Sequence, residues 1–445
     1  MISDDKEQIL KSLNAALHSK KLYPPGHPSV AAPVKKCAQT IADHMKDKSK
    51  LSICLVDEAL VLNDVPVADA KKTYEDLIEH LKARGVEAVI FDKGVVEKEL
   101  SALFDLLSSE DAPPGPELQG ELEKKGVTHI TVQSLERTPI EVYNDAVKTV
   151  KDVMGEIRMG RIPKSEEVKG IADEMSDKIL SDPNAMVGLS MIKNYDDYLY
   201  NHSVNVSIIS MAIGKFMGLD KEDMHKLGVG SLLHDVGKTG VSEDIIRKPG
   251  GLSSDEWEKV KEHPVLGNKI SKEMEGIPEE TSRIIYEHHI RYDRSGYPTT
   301  ETGTSIHPLS LIVSVADAYD ALTTLRVYQK PYQPVEAVRM IKGLAGKHFD
   351  PDVVSSFEQM MGLYPVGTMV RLSTNEIGVV TKVEPEKHDT PMIKVIFDPE
   401  GKKIDSPFEV DLSEKKDPPL VITAPVDPLY MNVDMGEFFE QEASK

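Results

Sequence analysis

Apolar residues along the central part of the chain recur with the spacing of an α-helix. In segments 202–217, 224–233 and 305–325 the apolar side chains stand three or four residues apart, a pattern that predicts helices with a buried face. Ser253 and Glu256 stand three residues apart at the start of another helical segment, which is typical of a capping box. Together these patterns predict an all-α domain over residues 184–362, preceded by a helical linker over residues 140–183.

The first part of the chain, residues 1–139, mixes two kinds of pattern. Helical segments alternate with short apolar runs that predict strands, at 51–56, 59–62, 87–91 and 127–132. This mixture predicts an α/β domain. Its sequence contains no phosphate-binding loop and no phosphoacceptor cluster, so the hypothesis that remains is a regulatory or assembly role.

The last part of the chain, residues 363–445, changes to alternating polar and apolar positions. Short runs of this kind are typical of a small β domain, and they lie at 366–372, 378–383 and 391–397. An acidic tail beyond position 415 is expected to be extended. The predicted fold class is therefore multidomain, with an N-terminal α/β region, a central all-α domain and a small C-terminal β domain.

Composition and charge narrow the class of protein. A length of 445 residues with 40% hydrophobic and 29% charged residues fits about three soluble domains. The sequence shows no apolar run long enough for a membrane span and no secretory signal, and it has only two cysteines, Cys37 and Cys54. We therefore expect a cytoplasmic protein with reduced thiols.

The net charge of −21 bears on the partners of the protein. Nucleic acid polymers are excluded, since binding to them depends on Lys and Arg that neutralise phosphates. A small anionic ligand remains compatible with this charge, because bound metal ions can invert the local field of one cleft.

Histidine and aspartate side chains concentrate in the predicted helical domain. The seven of interest are His202, His234, Asp235, His263, His288, His289 and Asp317. Imidazole and carboxylate donors suit Zn, Fe or Mn. Asp317 follows an apolar run, where an unpaired carboxylate would cost several kcal/mol, so it needs a metal or a hydrogen-bond partner. A lone His or one His-Asp pair is more often structural, but the seven together favour a metal centre.

Two segments resemble the signatures of the HD-GYP family, a branch of the HD phosphohydrolases. Residues 234–238 read HDVGK and residues 288–298 read HHIRYDRSGYP. The spacing of the seven His and Asp residues also agrees with that family. The resemblance covers residues 190–360, and residues 364–368 resemble the β appendage that follows many such domains.

The resemblance implies a metal-dependent phosphodiesterase of bacterial signal transduction. This hydrolase would convert cyclic di-GMP to pGpG and onward to GMP. One divalent ion would be held by His202, His234, Asp235 and Asp317, and a second by Asp235, His263, His288 and His289, with Asp235 as the bridge. Iron or manganese is expected at both positions, because ligation by N and O donors alone suits these metals.

Two cations are candidates for contacts with the substrate. Lys238 follows His234 within the motif and is expected to hold the phosphate or assist the leaving oxygen, so that Asp235 and Lys238 are the catalytic residues. The alternative for Lys238 is a solvated cation at a helix end. For Arg326 two interpretations stay open, a phosphate contact through its planar guanidinium and an ordinary surface charge.

Four places depart from the family pattern, and one of them, Arg326-Val327-Tyr328-Gln329, replaces the more usual Arg-Pro-Tyr followed by a basic residue. Ile290 stands where the family has Glu, Arg294 stands where it has Gly, and Tyr198 occupies the position of a Glu that binds a third metal in some relatives. These changes leave two alternatives open. One is a phosphodiesterase for cyclic GMP-AMP, and the other is a weakly active signalling module that binds a cyclic dinucleotide or a protein.

Two further properties bear on assembly and on the reaction class. The turn Gly296-Tyr297-Pro298 is associated in the family with diguanylate cyclase (GGDEF) domains, which implies a partner of that kind. A homodimer is also left open. A nucleotide phosphohydrolase of the wider HD group would explain His234 and Asp235 but not this turn.

Overall fold

A computed structural model of the protein describes most of the chain, in residues 4–23, 27–46, 48–56, 59–63, 65–67, 70–109, 115–134, 137–192, 197–246, 248, 250–299, 305–324, 331–414 and 417–443. The chain forms two compact units, Met1–Arg137 and Thr138–Lys445. No helix in these described ranges is long and apolar enough to cross a membrane.

The first unit is the predicted α/β region. Its helices are α1 (Asp4–Leu22), α2 (Pro28–His44), α3 (Ala70–Thr73), α4 (Glu75–Ala83), α5 (Glu97–Ser108) and α6 (Gly115–Lys124). Its strands are β1 (Lys50–Val56), β2 (Ala59–Leu62), β3 (Val65–Pro66), β4 (Val86–Asp92) and β5 (Ile130–Ser134). The strands form one antiparallel sheet in the order β3-β2-β1-β4-β5. Leu13, Phe91 and Phe104 are buried in its core.

A buried carboxylate joins α5 to the start of β5 in this unit. Glu99 accepts hydrogen bonds from the backbone N–H groups of Val96 at 3.1 Å, Thr128 at 2.7 Å and His129 at 3.1 Å. Burial by itself would raise the pKa of Glu99, but these donors lower it to about 2. The ionised form therefore stabilises the folded unit at neutral pH.

The second unit begins with a large set of helices. They are α7 (Pro139–Arg158), α8 (Ser165–Ser181), α9 (Pro183–Leu189), α10 (Tyr198–Phe216), α11 (Lys221–Leu233), α12 (Glu243–Ile246), α13 (Ser254–Val260), α14 (His263–Glu273), α15 (Glu279–Glu287), α16 (Pro308–Thr323), α17 (Pro334–Lys342) and α18 (Pro351–Met361). A 3-10 helix, Val236–Gly240, follows α11. The predicted capping box forms at α13, where the Ser253 Oγ accepts from the Glu256 N–H at 3.3 Å.

Helix α10 is the centre of this helical set, because it is buried from Tyr200 to Gly214 on all sides. It packs against α7, α8, α11 and α16. Val150 of α7 and Met175 of α8 lie in the same core. The residues predicted as a linker are thus packed within the unit, and the boundaries at 183 and 362 remain predictions.

The predicted C-terminal strands form the second sheet. They are β6 (Met369–Leu372), β7 (Ile377–Lys382), β8 (Met392–Phe397), β9 (Lys403–Asp411) and β10 (Ile422–Pro425), in the antiparallel order β10-β6-β7-β8-β9. The segment expected to be an extended tail instead contains β10 and α19 (Met435–Ala443). Phe439 of α19 is buried and lies against Gly188, where an added Cβ would come within 2.4 Å of its ring.

Replacing Glu99 by Gln should destabilise the first unit at neutral pH by about 1–3 kcal/mol, the scale of losing a charged partner of buried N–H groups. The folded pKa of Glu99 is below its ordinary value, so its stabilisation is complete above about pH 4.5 and is lost as the pH falls towards 2. The difference in the free energy of unfolding between the variant and the wild type should therefore shrink as the pH falls over that range.

Hydrogen–deuterium exchange of peptides covering β5 measures this effect within the intact protein. Glu97→Gln is the matched control, because Glu97 is exposed on the same helix. Equal protection of β5 in the wild type and in Glu99→Gln at pH 7 would contradict the assigned role of Glu99.

Candidate metal centre

Five segments of the second unit bring the seven predicted His and Asp residues to one place. His202 lies on α10, Asp317 on α16, and the others lie where helices begin or end. Their donor atoms form three groups, and within each group the atoms lie within 4.8 Å of one another. These groups are His202, His234 and Asp317; His263, His288 and His289; and His234, Asp235 and His288.

Asp235 lies between the other two groups and is almost fully buried. Its Oδ2 is 3.6 Å from the Nε2 of His202 and 3.4 Å from that of His234. Its Oδ1 is 3.3 Å from the Nε2 of His263. The two carboxylate oxygens therefore face different histidines, as a ligand shared by two cations requires.

The same local device orients three of the histidine rings. The Nδ1 atoms of His234, His263 and His288 lie 2.7, 2.7 and 2.8 Å from the backbone oxygen of the residue three positions earlier. Each of these oxygens belongs to the last turn of a helix, where a carbonyl lacks a partner within its helix. A carbonyl only accepts hydrogen bonds, so each Nδ1 carries the proton and each Nε2 keeps its lone pair towards the cluster.

This arrangement leaves donor atoms in need of a cation. The Nε2 atoms of His263 and His288 lie 3.2 Å apart, and two lone pairs at that distance repel unless a positive charge lies between or beside them. The His234 Nε2 and the Asp235 Oδ1 are buried without a hydrogen-bond partner among the described residues. Buried polar atoms are rarely left unsatisfied, so the donor set fits bound divalent metal.

Burial keeps most of these histidines neutral. It lowers the pKa of His263 to about 3 and that of His289 to about 4, and it lowers the pKa of His288 well below its usual range. Neutral imidazole is the form that binds metals. These three rings are therefore ready to act as ligands throughout the physiological pH range.

Neighbouring charges and hydrogen bonds keep Asp235, Asp317 and His202 in their ionised forms. Burial would raise the pKa of both Asp235 and Asp317. The positive charge of Lys238 nevertheless keeps the pKa of Asp235 well below its usual range, and a hydrogen bond from His202 does the same for Asp317. Burial would likewise lower the pKa of His202, but hydrogen bonds to Asp317 and Asp320 raise it well above its usual range. The two carboxylates are thus anionic and available to cations.

A supporting network behind His202 went unnoticed in the sequence. Asp320 Oδ2 lies 2.7 Å from the His202 Nδ1, and Asp320 Oδ1 accepts a hydrogen bond from Asn205 Nδ2 at 3.2 Å. The Tyr143 hydroxyl of α7 in turn donates to Asn205 Oδ1 at 3.1 Å. The available signal was the position of Asp320, one helical turn after Asp317 on α16.

Of the two cationic residues predicted to contact the substrate, the structure describes only Lys238. Lys238 lies at the cluster, where its ammonium donates to Asp235 Oδ2, and its side chain remains 21% exposed. It is therefore not a freely solvated cation. Arg326 lies outside the described residues, so its two interpretations stay open.

Close contacts with the neighbouring backbone explain why glycine occupies position 296 in the turn at 296–298. A Cβ on Gly296 would lie 2.1 Å from the backbone oxygen of His289 and 2.6 Å from the Arg291 nitrogen. Only glycine lets the turn approach this close behind the histidine pair. The Tyr297 N–H donates to the same His289 oxygen at 3.2 Å.

Three of the departures from the family pattern occupy distinct environments, and the fourth, at residues 326–329, lies outside the described residues. Ile290 is buried, so its apolar side chain packs where the family has Glu. Arg294 has a φ of 69°, in the left-handed region that glycine adopts at least cost. The Tyr198 ring lies nearly parallel to His202, with centroids 5.9 Å apart.

Comparison with known families assigns two parts of the chain. Residues 187–353 match the family described as HD domain, and residues 369–431 match the family described as KOW domain associated with HD domain. The second match agrees with the predicted small β domain.

Curated relatives cover parts of the chain. A cyclic di-GMP phosphodiesterase of Pseudomonas aeruginosa is 34% identical over 257 residues, which are 58% of this chain and 62% of that protein. A cyclic di-GMP phosphodiesterase of Thermotoga maritima is 36% identical over 171 residues, which are 38% of this chain and 46% of that protein. The 3'3'-cGAMP-specific phosphodiesterase 3 of Vibrio cholerae is 30% identical over 168 residues, which are 38% of this chain and 36% of that protein.

The chain thus spans less than two thirds of the length of each of these relatives. The part that matches the HD domain, residues 187–353, contains the HDVGK and HHIRYDRSGYP segments and the cluster that they build. Residues 187–353 therefore match the HD domain family and contain both segments that resemble the HD-GYP signatures, and residues 369–431 match the KOW domain associated with HD domain.

Proposed function

We propose that the protein is a metal-dependent phosphodiesterase that hydrolyses cyclic di-GMP to pGpG, and onward to GMP, in bacterial signalling. The observation that carries this proposal is the position of Asp235, whose two oxygens face separate groups of histidines. The names of the Pseudomonas and Thermotoga relatives support the choice of substrate.

The residues proposed to hold metal divide into two sets that share Asp235. The first set is His202, His234, Asp235 and Asp317, and the second is Asp235, His263, His288 and His289. Iron or manganese suits these N and O donors, which include no thiolate. When bound, such a pair of ions supplies Lewis-acid stabilisation of phosphoryl oxygens and lowers the pKa of water.

The protein's own groups prepare this site for a phosphodiester. The helix-end carbonyls orient three imidazole rings with their Nε2 lone pairs inwards. Lys238 neutralises part of the carboxylate charge of Asp235, which would otherwise repel an anionic substrate. Burial lowers the pKa of Lys238, but the charge of Asp235 raises it above its usual value. The ammonium therefore stays protonated and can donate to a phosphate or leaving oxygen.

A second substrate is favoured by one relative. The name of the Vibrio cholerae protein makes cyclic GMP-AMP the nearest rival. Manganese-loaded or anaerobically iron-loaded protein should be incubated with each dinucleotide, and the products separated by chromatography. Faster conversion of cyclic di-GMP supports the main proposal, whereas faster conversion of cyclic GMP-AMP favours the rival.

A signalling module with little turnover is the remaining alternative, and Ile290 and Arg294 favour it. In this alternative, the turn Gly296-Tyr297-Pro298 is the surface that contacts a diguanylate cyclase (GGDEF) domain. It follows an exposed stretch, residues 291–295, which is compatible with a protein contact. Binding of either dinucleotide without product would select this alternative. We also propose that the protein forms a homodimer, and light scattering would measure its mass in solution.

Asp235→Ala should abolish hydrolysis and reduce the metal content from about two ions per chain. Without the shared carboxylate, two cations would repel each other with no compensation, so occupancy should fall in both sets of ligands. Elemental analysis and product assays measure the two effects. Asp223→Ala, on the preceding helix, is the control and should keep both properties. Normal metal content with normal turnover in Asp235→Ala would show that Asp235 is not the bridge.

Asp320→Asn should weaken metal binding by the first set of ligands by about 10–100-fold, because the carboxylate that orients His202 loses its charge. The second set should retain its metal, so the stoichiometry at limiting manganese should drop towards one ion per chain. Titration with manganese, followed by electron paramagnetic resonance, resolves the two affinities. Thr324→Val removes a weaker contact to the same Asp320 oxygen, at 3.3 Å, and should have a smaller effect. Two unchanged affinities in Asp320→Asn would refute the orienting role.

Lys238→Ala should keep the metals but slow turnover by about 10²–10³-fold, the scale of losing one electrostatic stabiliser. The measurement is kcat together with metal content. Because Lys238 also contacts Asp235, loss of metal in this variant would assign the lysine to support of the ligand instead. Turnover equal to that of the wild type would remove Lys238 from the catalytic residues.

A further inference from the structure

The chain has a single tryptophan, Trp257, and it lies on the surface next to the metal centre. Trp257 is 45% exposed on α13, whereas Val260 on the same helix is buried. A lone exposed apolar residue has no special meaning. Trp257 differs from such a residue in the aromatic rings that surround it.

A chain of aromatic rings connects Trp257 to the cluster. The centroids of Trp257 and Tyr297 lie 6.0 Å apart with the rings at 82°. Tyr297 in turn lies 4.6 Å from the His289 ring and 6.3 Å from the His263 ring. The exposed indole is therefore separated from two residues of the cluster by one phenol ring.

The Trp257 ring is well placed to receive another flat group. Nearly perpendicular rings leave at least one face of the indole uncovered by Tyr297. The helix that carries Trp257 is anchored by Glu256, whose carboxylate accepts from the Ser253 N–H at 2.7 Å and from the Lys248 ammonium at 2.7 Å. An aromatic side chain on an anchored helix loses little conformational entropy when a ligand binds.

We propose that Trp257, supported by Tyr297, is a stacking platform for one nucleobase of the substrate. This inference rests on the proposed function, since the base is that of the cyclic dinucleotide. In a nucleotide a ribose separates the base from the phosphate, so a phosphate at the cluster directs its base outwards, past Tyr297. Stacking of a base on an aromatic ring contributes about 1–3 kcal/mol and tolerates any base. The platform therefore contributes to affinity without distinguishing guanine from adenine.

The single tryptophan makes the test direct, because all tryptophan fluorescence of the chain comes from this position. Manganese-loaded protein is titrated with GMP and with ribose 5-phosphate, which has the same phosphate and sugar but no base. GMP should quench the emission saturably, and ribose 5-phosphate should not. Free N-acetyltryptophanamide is the control for absorption by the nucleotide. Equal quenching by the two ligands would overturn the platform.

Variants separate stacking from chemistry. Trp257→Ala should raise the Kd for GMP and the KM for the dinucleotide by about 5–150-fold, the range that corresponds to loss of one stacked base. Its kcat should stay within about threefold of the wild type. Trp257→Phe should restore most of the affinity, because a flat face returns. Tyr430→Ala, at a ring that is 83% exposed on the 3-10 helix Pro428–Met431, is the control and should change neither constant.

Calorimetry measures GMP binding by the variants without tryptophan, and circular dichroism checks that they fold. Unchanged Kd and KM in Trp257→Ala would overturn the proposal and assign the exposed ring to a protein contact. Quenching by GMP in a wild type that hydrolyses neither dinucleotide would keep the platform and refute the proposed function. Hydrolysis without base-dependent quenching would refute the platform and keep the function.

Discussion

The burial of the Asp235 carboxylate is the constraint on which the helical part of the structure depends. An anion in a protein interior costs several kcal/mol unless opposite charge and hydrogen-bond donors compensate it. Lys238 supplies one positive charge, whereas His234 and His263 offer lone pairs instead of protons on their Nε2 atoms. Bound cations would supply the remaining compensation, so the electrostatics of the site, like its composition, fit a metal centre.

Helix ends are the elements that deliver the ligands to Asp235. Helices α11, α13 and α15 each end at or shortly before a histidine whose ring bonds a carbonyl of the last turn. One side chain thereby satisfies a backbone group that the helix leaves open and presents its other nitrogen to the cluster. The close packing that this requires is visible at Gly237, where an added Cβ would lie 1.9 Å from the His263 backbone oxygen. The 3-10 helix after Asp235 can therefore touch the start of α14.

The surroundings of the cluster divide into a hydrogen-bonded interior and an outer part, where two residues depart from the family pattern. Behind His202, the carboxylate of Asp320 and the amide of Asn205 connect the ligand to Tyr143 on α7, which ties the site to the helix at the start of this unit. On the other side, Ile290 and Arg294 depart from the family pattern close to the histidine pair. The interior argues for a competent metal site, and the outer part is where substrate choice and turnover can differ between this protein and its relatives.

The sequence by itself determined the helical core, the strand segments at both ends and the chemical types that gather in the metal centre. These are local properties, because helical periodicity lies within one segment and a histidine or aspartate signals metal chemistry wherever the chain places it. Packing alone decided which distant side chains meet. Tyr143 and Asp320 are far apart in the chain, and the apolar faces of α7 and α8, in the segment predicted as a linker, lie in the common core. The contact of Trp257 with Tyr297 and the packing of α19 against Gly188 likewise depend on how elements cross in space. No spacing rule within one segment can encode such contacts between separate elements.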